Sequence, residues 1–147
     1  MKYLGLDLGS RTLGVSMSDN TATIATSYKI IRHNEEYDRL VNDVVNLVEE
    51  NNISAIVLGF PKNMDNSVGE KGKLSISFKE ELESVLSIPV YLQDERLTTR
   101  EATSILIGAD TSRKKRKKVI DSLAATIILQ TYLDKKGKKL WKKIHLL

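Results

Sequence analysis

The sequence predicts an α/β domain built on a mixed sheet, in which a three-strand antiparallel meander is joined to parallel strands and flanked by helices. Three observations predict it. Three strand-like segments follow one another within residues 2–31. A segment with helical periodicity and a continuous apolar run come next, and strands and helices then alternate. Adjacent short strands followed by alternating strands and helices are typical of a mixed sheet covered by helices.

The antiparallel meander occupies the amino-terminal part of the chain. Lys2–Leu8 and Thr12–Ser18 are strand-like segments separated by the short polar stretch Gly9–Arg11, which favours a turn. Ile24–Ile31 is the third predicted strand. Because the connections are short, we expect consecutive strands to pair antiparallel.

A helix and a buried strand follow the meander. Between Glu35 and Glu50 the apolar residues recur with helical spacing, and acidic residues open the segment, as the helix dipole favours. Asn51–Asn52 is expected to end this helix. Ala55–Phe60 is a short continuous apolar run, which is typical of a strand covered on both faces by helices.

Strand and helix are expected to alternate in the next part of the chain. Pro61–Lys73 is polar and rich in turn-forming residues, so we predict a loop there. A helix is predicted over Leu74–Leu86, a strand over Pro89–Leu92 and another helix near Thr98–Ile107. Gly108–Ser112, with the basic run after it, is predicted to form a mobile loop.

The last helix has the clearest pattern. Six of its residues are spaced at i, i+3, i+4, i+7, i+8 and i+11 and therefore share one face: Asp121, Ala124, Ala125, Ile128, Leu129 and Tyr132. Residues 1–134 are predicted to form the domain and residues 135–147 a basic carboxyl-terminal tail. No internal repeat or interdomain linker is evident.

The overall composition excludes several classes of protein. An apolar fraction of 41% with 8 Gly and 2 Pro among 147 residues is that of a globular domain and excludes global disorder or a collagen-like chain. Without cysteine there is no disulfide framework, no thiol catalysis and no cysteine-based zinc site. No apolar run approaches the ~20 residues of a membrane span, and no secretory signal is evident. We therefore expect a cytoplasmic protein without a membrane partner.

The net charge of +4 hides an asymmetry along the chain. Residues 1–112 hold 11 Lys and Arg against 17 Asp and Glu, whereas residues 113–147 hold 12 against 2. The cations form two blocks, an unbroken run over Arg113–Lys118 and the tail. Clustered cations suit a polyanion, because each one placed against a phosphate releases a condensed counterion. Nucleic acid is the predicted partner, although a solvated carboxyl terminus explains the tail equally well.

Asp7 is the first candidate functional residue. It lies near the end of an otherwise apolar strand, where a carboxylate is costly unless it is paired, metal-bound or at an open sheet end. Gly5, Gly9 and Gly14 around it would let a ligand approach closely, and Arg11 could hold a phosphate. A turn in which Asp7 accepts hydrogen bonds from backbone amides is the structural alternative.

Two further carboxylates lie in polar positions after apolar segments. Glu95, within Asp94-Glu95-Arg96, follows a predicted strand, and ligands bind where strands leave an open α/β sheet. Asp121 is the only acid within residues 113–131 and heads the apolar stripe of the last helix. Ordinary capping of helix starts would explain either group separately. Together with Asp7 they could bind hard divalent cations in a two-metal arrangement for phosphodiester hydrolysis.

Four blocks of sequence resemble the YqgF/RuvX family, described both as Holliday junction resolvases and as nucleases that mature the 5′ end of pre-16S ribosomal RNA, with an RNase H-like fold. The blocks are GLDLGSRTLGVSMSD at residues 5–19, VLGFPKNMDNSVGE at 57–70, VYLQDERLTTREA at 90–102 and SRKKRKKVIDSLAATIILQTYLD at 112–134. They occur in the same order as in the family and span nearly the whole chain.

The resemblance implies a role for each candidate residue. Asp7, Glu95 and Asp121 would be the catalytic carboxylates that bind Mg²⁺ or Mn²⁺. Arg96, Thr98 and Thr99 would support Glu95. The nucleic-acid backbone would meet a set of cations: Arg11, Lys62, Arg96, Arg113, Lys114, Lys115, Arg116, Lys117 and Lys118.

The leading hypothesis is therefore a metal-dependent nuclease that acts on RNA, specifically on the 5′ end of pre-16S rRNA, as a monomer or weak homodimer. Cleavage of four-way DNA junctions is the alternative, and it would need two active sites and hence a two-fold dimer. A third hypothesis is a non-catalytic nucleic-acid-binding module. An ATP-dependent phosphotransferase ranks last, because such proteins generally use two halves to enclose ATP and this chain is too short for both.

Overall fold

The structure is a computed structural model that describes residues 1–61, 68–94 and 113–145, with the backbone alone for 113–122 and 140–145. Its elements, in chain order, are β1 Tyr3–Leu8, β2 Thr12–Ser18, β3 Ala25–Arg32, α1 Tyr37–Asn51, β4 Ala55–Phe60, α2 Glu70–Val85, β5 Val90–Asp94 and α3 Arg113–His145.

The five strands form one mixed sheet in the order β3-β2-β1-β4-β5. The β1–β2 and β2–β3 pairs are antiparallel, whereas β4 is parallel to both β1 and β5. The predicted meander and the parallel strands are both confirmed. Because β1, β4 and β5 run the same way, they end together at Leu8, Phe60 and Asp94, and we call this the carboxyl edge of the sheet.

Helices cover the two faces of the sheet separately. On one face, α1 and α2 pack on strand residues that alternate along β1, β2 and β4, including Leu4, Leu6, Leu13, Val15, Ile56 and Leu58. On the other face, Tyr3, Ala55 and Val57 pack against Ile128, Leu129 and Leu133 of α3. All six residues of β4 are buried, as its continuous apolar run predicts.

Helix α3 lies directly on the sheet at Gly5. A Cβ atom at Gly5 would lie 2.7 Å from Leu129 Cβ and 3.1 Å from the Ala125 carbonyl oxygen, so only glycine allows this approach. The buried hydroxyl of Ser16 donates a hydrogen bond to the same carbonyl at 2.8 Å. Further along, the Lys136 ammonium contacts the Tyr3 hydroxyl. Leu129 of α3 lies against Gly5, and Lys136, later in the helix, lies against Tyr3, which is earlier in the strand. Helix α3 therefore runs antiparallel to β1.

Most boundaries of the first four elements agree with the sequence within two residues. Helix α1 ends as predicted, because Asn52 adopts the left-handed conformation (φ 53°, ψ 48°) and its N–H donates to the Val48 carbonyl. Helix α2 begins at Glu70 rather than Leu74, so the predicted loop is too long. The added turn is held by tertiary packing, since Gly72 is buried against Phe60 and Val68.

Strand β5 and helix α3 also extend beyond their predicted limits. Asp94 is the last residue of β5, because it pairs with Phe60 of β4. The basic run Arg113–Lys118 forms the beginning of α3 and is not a loop, as Lys and Arg are good helix formers. Asp121 is consequently well inside the helix rather than near its start. The predicted helix at 98–107 and loop at 108–112 lie outside the described residues.

Candidate active site

Asp7 lies at the carboxyl edge on the face of the sheet that α3 covers. Side chains alternate along a strand, so Tyr3, Gly5 and Asp7 share one face. Tyr3 and Gly5 both contact α3, which fixes the identity of that face. Asp7 is half-buried and is the next to last residue of β1. The candidate carboxylate is therefore at the end of β1, on the face of the sheet that α3 covers.

Glycines lie beside Asp7 on both neighbouring strands. Asp7 pairs directly with Gly14 of β2. On the other side Leu6 pairs with Leu58, so the next step along these parallel strands sets Asp7 beside Gly59. Residues directly opposite one another hold their Cβ atoms about 5 Å apart, so a side chain at either position would crowd the carboxylate. Glycine at both positions therefore sets no side chain beside Asp7 on either neighbouring strand.

Gln93 of β5 lies in line with Gly14, Asp7 and Gly59 across the sheet. Gln93 pairs with Gly59 and is 6% exposed, and its Nε2 donates to the Asp94 carbonyl at 3.3 Å. Two residues earlier, Tyr91 stacks on Tyr132 of α3 with ring centroids 5.5 Å apart. Gln93 therefore shares the α3 face with Asp7, whereas Asp94 belongs to the face of α1 and α2. The strand ends here, and Glu95 lies outside the described residues.

The backbone of residue 121 lies at the level of Asp7. From Gly5 to Asp7 the strand rises about 7 Å. From Ala125 back to residue 121 the helix rises about 6 Å in the same direction. Because Ala125 is packed against Gly5, these two distances bring the helix position 121 alongside the carboxyl edge. Its side chain lies outside the described residues.

A buried histidine holds the turn that follows Asp7. His33 is 7% exposed, its Nδ1 accepts a hydrogen bond from Glu35 N at 3.0 Å, and its Nε2 lies 2.9 Å from the Gly9 carbonyl oxygen. Since Nδ1 is an acceptor, the ring proton is on Nε2, which donates to Gly9. The His33 N–H also donates to the Arg11 carbonyl at 2.9 Å. The sequence did not indicate this role, because an isolated histidine carries no spacing signal.

Arg11 is a positively charged residue in the turn between β1 and β2. Its side chain is exposed, and its Nη1 donates to Oδ1 of Asn34. The backbone around it is fixed, because Gly9 N donates to the Thr12 carbonyl at 2.8 Å. Arg11 is thus held at the end of the sheet where Asp7 lies.

Comparison with known proteins identifies the family. The sequence profile of RuvX, described as Holliday junction resolvase, matches residues 1–135. The chain belongs to the RuvX family. A Bacillus subtilis relative named "Putative pre-16S rRNA nuclease" is 50% identical over 135 residues, which are 91% of this chain and 98% of the relative. A Leuconostoc mesenteroides relative of the same name is 49% identical over 140 residues, which are 94% and 98% of the two chains.

Two solved structures of RuvC resemble the fold of this chain. RuvC from Thermus thermophilus, in complex with a Holliday junction substrate, superposes with a TM-score of 0.60 at 14% identity, covering 93% of this chain and 96% of that one. A second Thermus thermophilus RuvC structure gives a TM-score of 0.56, also at 14% identity, with 93% and 97% coverage. At this identity the likeness shows a shared RNase H-like fold.

Several residues assigned by resemblance to the RuvX family lie outside the described part of the chain. They are Lys62, Glu95, Arg96, Thr98 and Thr99, together with the side chains of Asp121 and of Arg113–Lys118. Within the described residues, no three His, Cys, Asp or Glu side chains are grouped so that they could hold a metal ion. Of the three candidate carboxylate residues, the structure therefore describes Asp7 in full and residue 121 by its backbone alone.

Among the helices in the described ranges, none is both long and apolar enough to cross a bilayer.

Proposed function

We propose that this protein is a metal-dependent nuclease that hydrolyses phosphodiester bonds at the 5′ end of pre-16S rRNA. The observation that carries the proposal is the position of Asp7, on the α3 face of the carboxyl edge with a glycine beside it on each neighbouring strand. Relatives of about 50% identity, matched over almost their whole length, bear the name of that activity. A carboxylate at the carboxyl end of a strand offers the oxygen donors that a hard cation prefers.

Asp7, Glu95 and Asp121 would hold the metal, which we propose to be a pair of Mg²⁺ or Mn²⁺ ions. Carboxylate oxygen is the donor that both cations prefer. The glycines at positions 14 and 59 support this assignment, because a Cβ there would take up space beside the Asp7 carboxylate. When bound, the ions would supply a water of lowered pKa and neutralise charge that develops on the phosphate.

The other residues of the site would position the nucleic acid. Arg11 at the β1–β2 turn and the run Arg113–Lys118 at the start of α3 flank the carboxyl edge and would bind the phosphate backbone. Lys62 and Arg96 are assigned to the same role by the family resemblance. Phosphate contacts fix the position of the substrate and carry no sequence information. Choice of cleavage site would therefore depend on the shape of the RNA at this edge.

Asp7→Asn tests the catalytic assignment. The substitution keeps the shape of the side chain and removes its charge, so cleavage of a 5′-extended pre-16S transcript should fall at least a hundredfold while RNA binding persists. Asp94→Asn is the matched control. It removes a carboxylate at the same edge on the opposite face and should retain most of the activity. Equal turnover by wild type and Asp7→Asn would disprove the proposal.

Four-way DNA junctions are the second candidate substrate, favoured by the description of the family profile. Both hypotheses use the same carboxylates, and they differ in assembly, because a junction needs two active sites related by two-fold symmetry. Turnover of a synthetic junction and of a precursor rRNA transcript should be compared at equal metal concentration, with sedimentation of the protein measured alone. Faster cleavage of the transcript by a monomer is the expected result. Faster cleavage of the junction by a dimer would reassign the substrate.

A further inference from the structure

The last part of α3 extends beyond the sheet and beyond the family match. The helix continues without interruption to His145, whereas the RuvX profile ends at residue 135. We call residues 135–145 the helical extension. Residues 135–147 contain six Lys and no Asp or Glu. The proposed active site is at the other end of α3 and does not account for this segment.

The helical extension is anchored to the amino end of β1 by Lys136. Its Nζ lies 4.7 Å from the centroid of the Tyr3 ring and contacts the Tyr3 hydroxyl, which is the main cause of the raised pKa of Lys136. Tyr3 is 1% exposed and also packs against Tyr132 at 5.9 Å. The first turn of the extension therefore has a fixed position against the sheet.

The remaining lysines of the extension form a stripe. Lys135, Lys138 and Lys139 are exposed, and within the described ranges none of them makes an ion pair. Their spacing of i, i+3 and i+4 sets them on one helix face. The helix dipole favours cations only within the last turn, so it does not explain Lys135, which is ten residues before the end of the helix.

We propose that this stripe is a second binding surface for the phosphate backbone of a nucleic acid. Asp134 is an acid beside this row, next to Lys135 and one turn from Lys138, but three exposed lysines against one carboxylate leave the face positively charged. Such a row of cations on a helix matches the regular row of charges on a nucleic acid strand. The proposal rests on the proposed function only for the identity of the partner. A membrane surface is the alternative polyanion, and the test below distinguishes it from a nucleic acid.

The separation of the two surfaces predicts a length threshold for the substrate. Residue 121 and Lys135, the first lysine of the stripe, are 14 positions apart in one helix, which corresponds to about 21 Å. At about 3.4 Å per stacked nucleotide, an RNA must extend roughly six nucleotides from the cleavage site to reach the stripe. Substrates shorter than this should bind through the carboxyl edge alone.

The test uses the full-length protein with lysines of the stripe replaced together. Lys135→Ala, Lys138→Ala and Lys139→Ala form the test variant. Lys29→Ala, Lys71→Ala and Lys73→Ala form a control that removes the same charge from exposed positions elsewhere. Binding is measured in the Asp7→Asn background with a 30-nucleotide RNA as a function of salt. At about 0.7 per phosphate contact, the slope of log affinity against log salt should fall by roughly 2 in the test variant.

Cleavage by the catalytically intact protein separates the stripe from the active site. The test variant should raise KM at least tenfold for the 30-nucleotide RNA with kcat unchanged, and leave a four-nucleotide RNA unaffected. Arginine at the same three positions should restore the wild-type KM. An unchanged salt slope, an equal loss in the control, or lost binding to anionic vesicles with RNA binding intact would overturn the proposal. Failure of the proposed function would be seen instead as full cleavage by Asp7→Asn.

Discussion

Gly5→Ala should destabilise the protein by about 2–4 kcal/mol. The new Cβ would lie 2.7 Å from Leu129 Cβ and 3.1 Å from the Ala125 carbonyl oxygen, and it would also meet the Ser16 hydroxyl. Overpacking of this kind costs about 1–3 kcal/mol. Displacement of the buried Ser16–Ala125 hydrogen bond adds about 1 kcal/mol. The sum is a large part of the net stability of a domain.

Thermal and urea unfolding measure this effect. For a chain of this size, 2–4 kcal/mol lowers Tm by about 5–15 °C. Gly137→Ala is the matched control, because a Cβ there meets nothing within 4 Å and alanine favours the helix by about 1 kcal/mol. The same chemical change should therefore have opposite signs at the two positions. Unfolding of Gly5→Ala at the wild-type temperature would show that the close approach of α3 to the sheet is wrong.

Catalysis should respond to Gly5→Ala more strongly than folding does. Residue 121 is one helical turn from Ala125, so a shift of α3 at Gly5 moves it relative to Asp7. Cleavage measured below the unfolding transition should fall although the protein remains folded. Activity that follows only the folded fraction would refute the link between the Gly5 contact and the site.

Two further predictions concern turns. The backbone N–H of Ile24, the Thr21 hydroxyl and the Thr23 N–H hold the pKa of the Asp19 carboxyl well below its usual range, so its contribution to stability is present above about pH 4 and is lost as the pH falls below that value. Asp19→Ala should lower Tm by a few degrees at pH 7, with the difference shrinking below pH 4; a constant difference at all pH values would contradict this cause. His33→Ala removes two hydrogen bonds and should cost about 2 kcal/mol in urea unfolding, whereas His33→Gln should recover part of it by donating to Gly9. Equal stabilities of the two His33 variants would argue against the bond to Gly9.

The sequence predicted the elements whose signals are local. Thr12–Ser18 and Ala55–Phe60 were located with correct bounds, because alternation, continuous apolar composition and flanking turn residues are all contained within the segment. The start of α2 could not be located in the same way. It depends on contact of Gly72 with Phe60 and Val68, which a local pattern does not contain.

The sequence predicted which carboxylates would come together, but not which residues lie beside them. Asp7 was recognised because a carboxylate in an apolar strand is unusual, and that reasoning needs only the sequence. The positions of Gly14 and Gly59 beside it depend on strand register, which is a property of pairing between distant segments. The role of His33 was not predicted for the same reason, since its hydrogen-bond partner Gly9 is 24 positions away.

The antiparallel packing of α3 on β1 also affects the order in which a nascent chain can fold. During synthesis the described strands, α1 and α2 leave the ribosome before α3, so Tyr3, Ala55 and Val57 lack their partners Ile128, Leu129 and Leu133 until α3 has been made. A chain interrupted before residue 113 would lack this cover, and exposed apolar patches promote association. Chains that stop before residue 113 should therefore be insoluble and should lack nuclease activity.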